Sequence, residues 1–121
     1  MIVQNWLVKI ENDQRPLKFI KATNGIGNMK IATMTFRLHA PWVHSLKEKR
    51  MIVKSLVTKL QNKFHVSAAE IDEQDTHQII VIGVASIVPH NAMADSLMDE
   101  ISAFVEANTE AEILDEEREV L

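Results

Sequence analysis

From Lys30 to Leu38 the chain alternates, with Ala32, Met34, Phe36 and Leu38 on one parity and Thr33, Thr35 and Arg37 on the other. A period of two marks a half-buried strand, and Pro41 closes it. The period then becomes helical. Leu46, Val53, Leu56, Val57, Leu60 and Phe64 fall on one stripe, which predicts a helix from Leu46 to about Lys63 packed on a sheet. Lys49 lies at the edge of that stripe and Arg50 on its other flank, while Lys47 and Lys54 lie near one another on the more exposed side. His65 to Asp72 reads as a second strand and residues 73–77 as a turn. Gln78 to Val88 is apolar on both parities, the pattern of a central strand covered on two faces. A second helix is expected over about Ala92 to Glu106. Asn91 would be its N-cap, and Ala94, Leu97, Met98, Ile101, Phe104 and Val105 its inner stripe. The acidic run from about Glu110 to Val120 suits an edge strand.

Strand, helix, strand, strand, helix, strand, joined by right-handed crossovers, makes an α+β ferredoxin-like βαββαβ sandwich. Its antiparallel sheet would run in the order 4-1-3-2 with both helices on one face. The other face is open and needs a cover, because the third strand turns apolar residues to it whichever parity points there. A second copy of the chain or residues 1–28 would serve. Within residues 1–28, Ile2 to Ile10 and Leu17 to Lys21 read as two short strands, and Asn24 to Asn28 as a link. The equally open alternative is a loose extension ahead of a second start at Met29.

At 121 residues the chain fits one domain, residues 29–121, with the extension before it. It has no cysteine, which removes disulfides, thiolate metal sites and cysteine nucleophiles. No apolar run approaches the roughly 18 residues of a membrane span, and the first residues lack a signal-peptide pattern. A cytoplasmic protein that does not enter membranes is the expectation. Charge divides the chain more sharply than its net −4 suggests. Between Lys30 and Phe64 eight cations stand against Glu48 alone, and from His65 onward fourteen acids stand against Arg118 alone. That asymmetry fits a basic surface for nucleic acid beside an acidic remainder, or two complementary faces that pair in an oligomer.

The candidate chemistry gathers between His39 and Arg50. Ser45 is a good N-cap, and Glu48 three residues later completes a capping box. Lys47, Lys49 and Arg50 then crowd a helix start that already carries roughly +0.5 of an elementary charge. Cations and free N–H groups together favour an anion. The expected site is therefore phosphate on RNA, contacted by Lys47, Lys49, Arg50 and Lys54 and assisted by the amides behind Ser45, with Trp42 and His44 lining the approach. Solvation or internal pairing is the commoner fate of such cations, and Trp42 would equally cap a core or a dimer contact.

Other chemistry finds no support. Asp72, Glu73, Asp75 and His77 lack metal-ligand spacing and read as a turn whose side chains cap their own backbone. Ser45 is spent as a cap, and Ser67 and Ser86 lie in strands with no nucleophile elbow. Asn24-Gly25-Ile26-Gly27 lacks the third glycine of a dinucleotide site. Neither an enzyme, a metal nor a cofactor is expected.

Four blocks carry a resemblance: Ser45-Leu46-Lys47-Glu48-Lys49-Arg50; Lys54-Ser55-Leu56; Asn62-Lys63-Phe64-His65-Val66-Ser67-x-Ala69-Glu70; and Asp72-x-Gln74-Asp75. At these spacings the chain resembles the YlxP-like family of small bacterial proteins, a domain of unknown function, over about Met29 to Leu121. It departs at Ala40 to His44, where the family usually has a Gly-containing loop and this chain has Trp42. The resemblance implies a ferredoxin-like fold and no established activity. Family members often sit in gene clusters with translation initiation and ribosome-maturation factors, which is association rather than mechanism. The expectation is a non-enzymatic RNA- or ribosome-associated binding protein. The alternative is a homo-oligomeric interaction module held by its open sheet face, with or without a small anionic ligand.

Overall fold

The alternation in the first strand and the helical stripe behind it fold against each other as their periods require. In the computed structural model, which describes residues 29–121, the elements are β1 (Lys30–His39), α1 (Leu46–Phe64), β2 (Ser67–Asp72), β3 (Ile79–Val88), α2 (Asn91–Asn108) and β4 (Glu112–Val120). The strands form one antiparallel sheet in the order β2-β3-β1-β4, the ferredoxin-like order expected, counted from the other edge. The expected hairpin and link within residues 1–28 lie outside the described residues.

The even positions of β1 build the core. Phe36 and Leu38 are fully excluded from water, as are Ile80 and Ile82 of β3, Leu60 of α1 and Val105 of α2. Phe64 and Phe104 meet edge to face at 5.3 Å and tie the two helices together, an arrangement favoured by the ring quadrupoles.

Two boundaries differ from the expectation. His65 does not begin β2; it ends α1 in the left-handed region (φ 55°) and its N–H donates to Gln61 O at 2.8 Å. α2 starts at Asn91 rather than being capped by it. The cap is His90, whose Nδ1 accepts the Met93 N–H at 3.2 Å. An imidazole nitrogen does here what an Asn oxygen usually does.

The face without helices carries Ile31, Thr33, Thr35 and Arg37 of β1 and, by their pairing, Val81, Gly83, Ala85 and Ile87 of β3. β4 adds Glu119, Glu117 and Asp115 to it, and β2 adds Ser67, Ala69 and, beyond the bulge, Asp72. A bulge between Glu70 and Asp72 leaves Ile71 outside the ladder, and its side chain lies over Gly83. A Cβ on Gly83 would come within 2.9 Å of Ile71 Cγ2, so the absent side chain lets the isoleucine lie flat. No described helix is long and apolar enough to cross a membrane.

Candidate functional site

The loop into α1 is held from below. Ala40 and Val43 are fully buried, and Gln78 Nε2 donates to Pro41 O at 2.9 Å and to Val43 O at 3.2 Å. The Ala40 N–H in turn donates to Gln78 O at 2.8 Å. This clamp leaves Trp42 41% exposed and His44 exposed at the mouth of the helix. Ser45 caps α1 as its position suggests: its Oγ accepts the Glu48 N–H at 3.1 Å. The reciprocal arm differs, because the Glu48 carboxylate meets the Ser45 hydroxyl at 3.4 Å rather than its backbone N–H.

The four expected phosphate ligands divide. Lys49 is 1% exposed and belongs to the inner stripe with Val53, Leu56 and Leu60. Its Nζ lies 2.9 Å from Glu70 Oε2 and donates to the backbone oxygen of Glu73. Glu70 Oε2 is itself buried without a well-directed hydrogen bond among the described residues, so the ammonium charge beside it is its chief compensation. Lys49 therefore leaves the set of groups that reach outward. The reason is legible in the spacing, since positions 49, 53, 56 and 60 recur by four, three and four and share one helix face. A cation there must be neutralised from the sheet. Glu70 shares the inward parity of Ala68 on β2, and it was the signal to follow.

Lys47, Arg50 and Lys54 are exposed. Separated by three and four residues, they form one ridge along the outer flank of α1. No carboxylate among the described residues lies within ion-pair distance of any of them. Trp42 is placed elsewhere. It lines a shallow groove of about 290 Å³ with Met51, Ser55 and Leu56 of α1, Asn108 at the end of α2 and Glu110 beyond it. Met51 follows Lys47 by four residues and precedes Lys54 by three, so the groove adjoins those two cations, while Arg50 lies farther round the helix from it.

The acidic turn after β2 satisfies itself. Asp72 Oδ1 accepts the Glu73 N–H at 2.8 Å, Thr76 Oγ1 donates to Glu73 Oε1 at 2.9 Å, and Arg37 donates to Glu73 Oε2 at 3.1 Å. The Thr76 hydroxyl, then the Arg37 guanidinium, hold the Glu73 carboxyl below its ordinary value. Among the described residues no three His, Asp or Glu side chains are grouped to hold a metal. At the opposite edge Arg118 joins Asp99 of α2 to Glu116 of β4, each at 2.7 Å, and these carboxylates, Asp99 first, raise its pKa further.

Comparison with known proteins adds two findings. The family described as a protein of unknown function (DUF503) matches residues 31–118. The chain is also similar to the uncharacterized protein YlxP of Bacillus subtilis (strain 168), with 38% identity over 68 residues covering 56% of this chain and 74% of that protein.

Proposed function

The chain belongs to the DUF503 family of proteins of unknown function, and from that premise we propose that it is a non-enzymatic binding protein for structured RNA, such as that of the ribosome. The carrying observation is the ridge of Lys47, Arg50 and Lys54, three exposed cations beside a helix start with no carboxylate among the described residues at ion-pair distance. Cations placed in this way lower their free energy by meeting an external polyanion and releasing its counterions. The N-terminal dipole of α1 adds to the same potential. Lys49 has a different job: it fixes α1 on β2 and so aims the ridge. Trp42 and His44 border the approach, and Lys47 and Lys54, on either side of Met51, link the Trp42 groove to the ridge. The acids of α2 and β4 lie away from it and orient the encounter by repulsion.

The test is fluorescence anisotropy with a structured RNA fragment at low salt. Changing both Arg50 and Lys54 to Glu should weaken binding by about tenfold or more, with the melting temperature retained. Equal binding by the reversed protein would reject the reading. The buried Lys49 is unsuitable for this purpose, since its loss would disturb the fold.

A further inference from the structure

We propose that the open face of the sheet is the seat of a second copy of this chain, packed about a two-fold axis that runs along the strands. This concerns the side of the molecule opposite α1 and is independent of RNA binding. The face is apolar where a partner would press hardest. Ile87 is 68% and Ile71 51% exposed at its two ends. Between them lies a trough of about 290 Å³ floored by Thr33, Thr35, Ala69, Gly83 and Ala85, residues small enough to admit another sheet closely.

Charge supplies the choice of occupant and axis. On this face the carboxylates of Asp115, Glu117 and Glu119 line β4, at one edge, while β2 at the other edge shows Ser67, Ala69 and Ile71 and only at its end an acid, Asp72, with the Arg37–Glu73 pair beside it. Such a face complements itself in one orientation. A two-fold along the strands lays each β4 over the other copy's β2, keeps the two β4 rows of carboxylates apart and brings Ile87 against Ile31 of the second copy. Only Asp115 then meets an acid, Asp72 at the end of β2, with Arg37 alongside to offset the pair. A two-fold across the strands would stack β4 on β4, with like charges opposed, which is unfavourable. An isologous pair needs this kind of self-complementary patch. Four strands at about 4.8 Å spacing and about seven residues at about 3.3 Å each give a projected face of roughly 400 Å² per copy. With side-chain relief, the total buried approaches the lower end of specific interfaces, roughly 1,000–1,200 Å².

Sedimentation velocity of the full chain over a concentration series tests this directly, and a reversible monomer–dimer equilibrium is expected. Ile87→Lys, at a position already exposed in the single copy, should weaken the dimer by about tenfold or more while far-UV circular dichroism stays unchanged. Ala69→Glu, set against Glu117 of the second copy, should also weaken it. Ala69→Lys should preserve or tighten it, most at low salt. A dimer indifferent to Ile87→Lys, or equal effects of the two Ala69 variants, would overturn the arrangement. So would a chain that stays monomeric at every concentration. If such a monomer also lost thermal stability through Ile87→Lys, the cover would come from residues 1–28.

Discussion

Lys49 and Glu70 show how one residue can be misjudged by its charge. In isolation a lysine in the first turn of a helix looks outward, but its spacing with Val53, Leu56 and Leu60 puts it on the buried face. Breaking a buried ion pair from one side costs about 3–5 kcal/mol, whereas replacing both members with apolar groups of similar volume is often neutral or better. Glu70→Gln should therefore lower stability in urea by about 3 kcal/mol, and the double variant Lys49→Met with Glu70→Leu should recover most of that loss. Glu73 gives a second residue-scale prediction. Its carboxyl is held low in the folded protein, so its contribution to stability is present above the ordinary glutamate pKa and is lost as pH falls through the lowered value. Removing the leading cause with Thr76→Val should move the Glu73 carboxyl titration upward in an NMR pH series and flatten the acid limb of the stability curve, because folded and unfolded states would then differ less in the protons they bind.

At the scale of elements, the strands and helices were readable because each local pattern agrees with the face it buries. The alternation of β1, the stripe of α2 and the doubly apolar β3 all led to the sheet order that formed. What escaped the sequence was local chemistry outside the periodic signal. Gln78 looked like the first residue of a strand, yet its side-chain amide holds the loop that carries Trp42. The cap of α2 moved from Asn91 to His90 because an imidazole nitrogen accepts as an amide oxygen does. That helix also has no acid in its first turn. His90→Asp should stabilise the protein by about 0.5–1 kcal/mol through a better cap and a favourable charge at the dipole, measured by chemical denaturation at neutral pH. A loss of stability would mean that the imidazole makes contacts an aspartate cannot replace.

The whole molecule separates three surfaces that the sequence could only list together: the basic ridge on α1, the acidic periphery of α2 and β4, and the apolar open face of the sheet. The charge asymmetry of the chain admitted both nucleic-acid binding and self-association. In the fold these become compatible, because the ridge and the open sheet lie on different sides. The candidate site was therefore partly legible: Lys47, Arg50 and Lys54 stand together and exposed, Lys49 is internal, and Trp42 faces another groove. No residue type announced that division. It follows from which helix face the sheet claims.

The most direct measurement is the salt dependence of RNA affinity for the native chain and for the protein with Arg50 and Lys54 both changed to Glu. Three phosphate contacts should give a log–log slope of about −2 to −3, reduced to about −1 or flatter in the variant, each lost contact removing somewhat under one unit. A native slope near zero, or one that the two charge reversals leave untouched, would contradict the role assigned to the ridge.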